Sequence, residues 1–451
     1  MYRLHKWVIL MLILALGSGL FWNRQVLGKP PMENTDQLLY DHLAQRINQD
    51  GQFIYQGKPA LVEPGYPFFL SVIYRIFGHN YDAVRVVQII LFALTIFIVF
   101  LYAKSIVSFP VAIGSGIVTA GFYGLANQAG LLMPETLFTF LLALFLYMMY
   151  RSEKGSLWWF FGAGSILAGA ALTKGAMEFF IVVALGYIYY LNRKSSWRIV
   201  GLKLLLFSIG FGIILVPWLV KERTIGGDIA VAPRGGLTLL GETEFLQSIS
   251  KNPIGHFIGI TFGYYFAQKL YPDINITAFR DAPNVDKRVS NLLRSGKSYQ
   301  EINSLFMKEA EQYIFAHPQL YLFGGMINLI SLNSPIILRG SLWQNTIAIH
   351  PMFADGRHPE YPDWGKTIII LGIRTLWFLF LFLVIKGGLV LKNNLYRYGW
   401  IFFLVIYINF FYSALYAIPR FALPVYPYYF ILAICGLFAL MPTKYLKIYH
   451  G

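Results

Sequence analysis

Long apolar runs recur along the whole chain, at Trp7 to Trp22, Ala83 to Ala103, Phe109 to Leu125, Leu131 to Tyr150, Leu157 to Leu172, Met177 to Leu191, Ile199 to Val220, Thr367 to Ile385, Gly399 to Ala417 and Phe421 to Met441. Each is close to the roughly 20 residues that a helix needs to cross a bilayer core. With 57% hydrophobic and only 13% charged residues, the composition lies well outside the soluble range of about 45–50% apolar and about 25% charged. The runs predict an all-α polytopic membrane protein of about 10 transmembrane helices, 12 at most. Surface helices are expected in its first outer loop, together with a large outer-side loop region. The first run follows Arg3, His5 and Lys6 and could be a secretory signal; an uncleaved signal anchor is preferred, because an even number of spans then puts both basic termini on one side. The single cysteine, Cys435, excludes an intramolecular disulfide and a cysteine-based zinc site.

The formal net charge of +15 is distributed by side. With the amino terminus in the cytoplasm, Arg3, Lys6, Lys104, Arg151, Lys154, Arg193, Lys194, Arg198, Lys203, Lys386, Lys392, Arg397, Lys444 and Lys447 fall at inner ends, opposed only by Glu153. Of the 37 Lys and Arg and 22 Asp and Glu, these 14 and 1 leave 23 basic against 21 acidic residues elsewhere. That asymmetry is what the positive-inside rule requires. It predicts a multi-pass protein of the plasma (inner) membrane with both termini cytoplasmic, and it removes nucleic acid as the reason for the basic balance.

Two segments are too long to be connectors: 23–82, the first outer loop after the opening span of the 1–220 amino-terminal bundle, and 221–366, an outer-side region ahead of the carboxy-terminal spans in 367–451. In the first, Leu39, Leu43 and Ile47 make one apolar stripe, suited to a helix on the membrane surface that stops near Asp50-Gly51. In the second, Ser298 and Glu301 form a capping box opening a helix that ends by His317-Pro318. Val285, Val289, Leu292 and Leu293 mark a shorter helix closed by Gly296. Ile254 to Ala267 and Tyr321 to Ile337 could be re-entrant, surface-lying or further spans.

Charge near hydrocarbon is expensive, so ionisable residues there are functional candidates. Asp36 could cap the first-loop helix after Asn34-Thr35, or act as a general base held close to the membrane surface. Glu63 opens Glu63-Pro64-Gly65-Tyr66-Pro67, a stiff turn, and is either a solvated loop residue or part of a site. Glu135 follows Pro134 at the start of the fourth run, where the helix dipole favours a carboxylate. Lys174 and Arg420 lie at outer ends, where topology does not need them, and Arg374 lies about a third of the way into the eighth run. Three such cations suit an anionic group, with phosphate the natural guest.

These residues resemble a known family. Asp36 with Tyr40 and Ala44, then Gly51, Glu63-Pro64-Gly65-Tyr66-Pro67 and Phe77-Gly78 look like the first outer loop of the family 39 glycosyltransferases. These belong to the glycosyltransferase C superfamily, with the protein O-mannosyltransferases and lipid A aminoarabinose transferases. Pro134-Glu135-Thr136-Leu137-Phe138, Leu172-Thr173-Lys174, Pro217-Trp218, Gly235-Gly236 with Gly241, His317-Pro318 and Arg420-Phe421-Ala422-Leu423-Pro424 follow in the family's order. The resemblance implies a sugar taken from a polyprenyl-phosphate donor and transferred, with inversion, to an acceptor on the non-cytoplasmic face. It implies Asp36 as catalytic base and Lys174 and Arg420, with Arg374, as ligands of the donor phosphate. Tyr40, Glu63, Tyr66 and Glu135 would line the substrate site.

The sequence also departs from its relatives. Gln37 follows Asp36 where the protein O-mannosyltransferases carry an acidic pair. Lys174 stands where many relatives have Arg, and Glu63 where the aminoarabinose transferases place Lys. No cofactor is implied outright; Glu63 with Asp36 could hold a divalent cation. The expected partners are a polyprenyl-phosphate sugar, membrane lipid and a glycan, lipid or protein acceptor. His358-Pro359-Glu360-Tyr361-Pro362-Asp363-Trp364 could stack on a sugar or form an interfacial aromatic belt. The competing readings are a flippase or transporter of lipid-linked saccharides, and a polymerase or ligase using a diphosphate carrier.

Overall fold

A computed structural model describes residues 2–31, 35–55, 58–226, 230–274, 283–335 and 364–441. All ten apolar runs are helical in it. The amino-terminal bundle contains α1 (Tyr2–Asn23), α4 (Tyr81–Ile106), α5 (Phe109–Gly121), α6 (Tyr123–Gln128), α7 (Glu135–Lys154), α8 (Trp158–Thr173), α9 (Phe180–Asn192) and α10 (Trp197–Gly226). Between α1 and α4 lie α2 (Asp36–Asp50), the two-residue strands β1 (Ile54–Tyr55) and β2 (Lys58–Pro59), paired antiparallel, and α3 (Gly65–Phe77). After α10 come α11 (Gly235–Ile249), α12 (Pro253–Phe262), α13 (Tyr264–Leu270), α14 (Pro283–Arg294), α15 (Tyr299–Ala316) and α16 (Pro318–Leu332). The chain closes with α17 (Trp364–Leu391), α18 (Leu395–Leu415), a 3-10 turn (Pro419–Val425) and α19 (Tyr426–Phe438).

Seven of the ten runs form helices both long and apolar enough to cross a membrane. The other three differ for physical reasons. At 13 and 16 residues, α5 and α8 reach only about 20 and 24 Å at 1.5 Å per residue, and α7 carries Glu135 at one end and Arg151, Glu153 and Lys154 at the other. Neither Ile254 to Ala267 nor Tyr321 to Ile337 makes an eleventh or twelfth long span among the described residues. The first breaks into α12 and α13 at Gly263, whose φ of +105 suits glycine. The second is the 15-residue α16, packed along α18.

The first-loop helix packs its apolar stripe against neighbouring elements of the same loop. Tyr40, Leu43, Ala44 and Ile47 are buried against α3 and the short hairpin, and Leu39 only partly so. The helix ends at Gly51 in the left-handed region (φ 72), as its sequence requires. Trp218 of α10 packs edge-on against Phe53 and Phe68 and donates from Nε1 to the Val231 carbonyl at 3.0 Å, seating the first loop on the bundle. In the second region the Ser298 and Glu301 capping box is fully formed, α15 ends at His317, and α14 is followed by Gly296 at φ +87. The stretch from His358 to Asp363, Asn34, Lys444 and Lys447 fall outside the described residues.

Candidate active site

The first loop, the start of α7, the end of α8 and the 3-10 turn before α19 meet at one end of the bundle. Thr35, in extended conformation, is the N-cap of α2, so Asp36 is the first helical residue and does not cap. Its carboxylate, half exposed, accepts from Arg420 Nη2 at 3.1 Å across 384 residues of sequence. Arg420 Nε lies 3.6 Å from Glu135 Oε1, and Lys174 Nζ lies 3.4 Å from the same oxygen. Glu135 is buried, and its position after Pro134 puts it at the positive end of α7. The result is a row of alternating charge, Asp36, Arg420, Glu135 and Lys174, with the Phe421 ring 4.9 Å from the Lys174 ammonium and 5.6 Å from the Arg420 guanidinium.

Glu63 closes the row on its other flank. It accepts from Arg234 Nη2 through both oxygens, at 2.9 and 3.1 Å, and from the Gly175 amide at 3.2 Å. It reaches Gly175 because Gly65, two residues on, lets α3 come against the end of α8. A Cβ there would lie 2.8 Å from the Leu172 carbonyl and the Thr173 nitrogen. Burial works to raise the Glu63 pKa, but Arg234, Lys174 and the backbone donors outweigh it and hold the carboxyl below its usual value. Tyr40 is buried between these groups. Desolvation, then the negative charges of Glu63, Asp36 and Glu135, push its hydroxyl far above the ordinary phenol range, so it is a neutral hydrogen-bonding group.

The structure therefore brings together Asp36, Tyr40, Glu63, Glu135, Lys174 and Arg420. Tyr66 lies just behind them: its ring meets Tyr40 edge-on at 5.3 Å and its hydroxyl donates to Gln88 at 2.9 Å, beneath the site. Arg374 has a different setting, buried and donating to Ser334 Oγ at 2.9 Å beside the end of α16. Two residues escaped the sequence reading. Arg234 stands directly before Gly235-Gly236, and an arginine opening an apolar helix next to paired glycines was the available signal. Asp41 is buried one turn beyond Asp36 and accepts from Tyr74, His79, Gln45 and Tyr81 at 2.7 to 3.2 Å. That network ties α2 to α3 and α4. Among the described residues, no group of three or more His, Cys, Asp or Glu side chains is placed to hold a metal ion.

The chain is similar to several known proteins. Residues 58–220 match the family model of dolichyl-phosphate-mannose-protein mannosyltransferase, a stretch that includes Glu63, Tyr66, Glu135 and Lys174. Among solved structures, the oligosaccharyltransferase AglB from Archaeoglobus fulgidus, in complex with an inhibitory peptide and a dolichol-phosphate, is similar over 97% of this chain, with a TM-score of 0.53 at 14% identity. This chain therefore shares the fold of that part of the oligosaccharyltransferase which it covers. The same archaeal enzyme tethered to an acceptor peptide containing the NVT sequon gives a TM-score of 0.51 at 13% identity over 96% of this chain and 50% of its own. The chain spans about half the length of that oligosaccharyltransferase, 51% in the first comparison. ArnT from Cupriavidus metallidurans bound to undecaprenyl phosphate is similar over 96% of this chain and 77% of its own, at 15% identity and a TM-score of 0.42. No curated protein matches the sequence. The charged row lies where the first loop meets the start of α7 and the end of α8.

Proposed function

We propose that the protein is an integral membrane glycosyltransferase that takes a sugar from a polyprenyl-phosphate donor and transfers it, with inversion, to an acceptor on the non-cytoplasmic face. The observation that carries this reading is the convergence of Asp36, Arg420, Glu135 and Lys174 from four distant parts of the chain. Lys174 and Arg420 hold the donor phosphate, and their charge stabilises the negative charge that builds on it as the glycosidic C–O bond breaks. The acceptor hydroxyl or amine attacks the anomeric carbon from the opposite face while its proton passes to Asp36. One displacement of this kind inverts the sugar; a double displacement would need a second carboxylate as nucleophile.

The Asp36–Arg420 contact adds a step. The incoming phosphate competes with Asp36 for Arg420 and so releases the carboxylate toward the acceptor. The match to a mannosyltransferase model over 58–220 and the dolichol-phosphate bound to a protein of the same fold support a lipid-linked donor. The reading is tested in proteoliposomes supplied with a polyprenyl-phosphate sugar and an extract of envelope acceptors. Asp36→Asn should reduce transfer by at least about a hundredfold, within the usual span for a general base, while leaving donor binding intact. Lys174→Ala and Arg420→Ala should weaken donor binding itself. Full transfer by Asp36→Asn would sink the assignment of the base.

A further inference from the structure

Beside Glu135 lies a small cavity of about 10 Å³ lined by Phe92, Thr95, Leu125, Gln128, Glu135, Thr136 and Thr139, with neither Lys174 nor Arg420 in its lining. Its polar lining is unevenly satisfied. Thr95 donates to the Leu91 carbonyl at 2.7 Å and Thr139 to the Glu135 carbonyl at 2.6 Å, so both hydroxyls are used within their own helices. Gln128 Oε1, Thr136 Oγ1 and Glu135 Oε2 are buried and have no hydrogen-bond partner, whereas Glu135 Oε1 has the ionic contacts to Lys174 and Arg420. Glu135 is 1% and Thr136 5% exposed. Three unpartnered polar atoms on three lining residues are costly to bury, and natural interiors satisfy such groups.

We infer that Gln128, Glu135 and Thr136 form a binding site for a single internal water. The chemistry of the lining selects that guest. Gln128 Oε1 and the carboxylate can only accept, whereas the Thr136 hydroxyl can also donate. A water that donates to Gln128 and Glu135 and accepts from Thr136 satisfies all three residues at once, and the volume holds about one. A metal cation meets the same oxygens but is repelled by Lys174 and Arg420, which already flank the one carboxylate. The water anchors the Glu135 carboxylate and fixes the direction in which it presents Lys174 and Arg420. Gln128 and Thr136 are thus positioning residues for the phosphate grip, a role that rests on the proposed function, although the water site itself does not.

The test is an electron cryomicroscopy map of the full chain in lipid nanodiscs, at a resolution that shows ordered water, joined to binding of a short-chain polyprenyl monophosphate. Wild type should show one peak within hydrogen-bond distance of the three groups. Thr136→Ser should keep the peak and bind like wild type. Thr136→Val, nearly isosteric, should lose the peak and bind roughly tenfold more weakly, the worth of one hydrogen bond to a charged group. An empty or side-chain-filled cavity in wild type, a peak with metal-like distances, or unchanged binding in Thr136→Val each overturns the inference. If wild type fails to bind the monophosphate at all, the functional reading fails, while the peak and its response to the two variants still decide the water site.

Discussion

Glu63 has a side chain only 11% exposed and is held by Arg234 and the Gly175 amide. Because its pKa is lowered in the folded protein, the native carboxyl resists a proton that the unfolded chain accepts near its ordinary 4.5. The stability it contributes is therefore complete above that value and is lost as the pH falls through the lower native one. Glu63→Gln should flatten the fall in melting temperature of the detergent-solubilised protein below about pH 4.5. A double-mutant cycle with Arg234→Gln should give a coupling of about 1–2 kcal/mol, as expected for a charged hydrogen bond with one half-exposed partner. A wild-type acid limb in Glu63→Gln would show that the pair does not matter to folding. From sequence, Glu63 could be singled out by its place before Pro64-Gly65, but not its partner, which lies 171 residues away. Nothing local in Pro233-Arg234-Gly235 encodes that distance. Asp36 was legible for a related reason, since a carboxylate beside a membrane span is expensive and stands out. The Arg420 that grips it was a candidate only as an excess outer cation.

At the scale of elements, the contact of α11 with α16 and α18 carries a second buried carboxylate. Glu242 of α11 accepts from Asn328 Nδ2 at 2.8 Å, and Asn328 also donates to the Ser413 carbonyl at 3.2 Å. Burial pushes the Glu242 pKa up to about 8, only partly opposed by the Asn328 bond. Here the sign is reversed. Between pH 4.5 and about 8 the native state keeps a proton that the unfolded chain has lost, so stability falls as the pH rises through that window. The shift corresponds to something on the order of 5 kcal/mol across the window. Melting temperature should decline from pH 5 to pH 8 in wild type, whereas Glu242→Gln, which stays neutral, should remain nearly flat and be the more stable protein at pH 8. Equal slopes in the two would remove Glu242 as the cause. The helices themselves were largely readable: the capping box at Ser298 and Glu301, the stop at Gly51 and the α14 stripe rest on local chemistry and recur as expected. The stripe on α2 left its cover open, because apolar residues state that something must bury them without saying what. In the structure α3 and the short hairpin cover most of that stripe.

For the whole molecule, the charge asymmetry along the sequence yields a prediction about sidedness. With Cys435 replaced by Ala, a single cysteine at Lys194, between α9 and α10, should react with a membrane-impermeant maleimide only in inverted vesicles. One at Gly296, between α14 and α15, should react only in right-side-out cells or vesicles. Labelling of both positions from the same side would overturn the orientation and, with it, the face on which the charged row lies. The ten apolar runs, the two long segments between them and the uneven spread of Lys and Arg along the chain follow from the sequence alone. Hydrophobic length and charge act through the bilayer, which reads each segment separately. Tertiary structure decided which of those runs are full-length spans, that α2 is covered by α3, and that Arg234 faces Glu63. It also decided that Asp36, Arg420, Glu135 and Lys174 stand in one row while Arg374 stands with Ser334. Those outcomes depend on which helix ends meet, and on close approaches such as that at Gly65, where backbone packs on backbone across more than a hundred residues of chain.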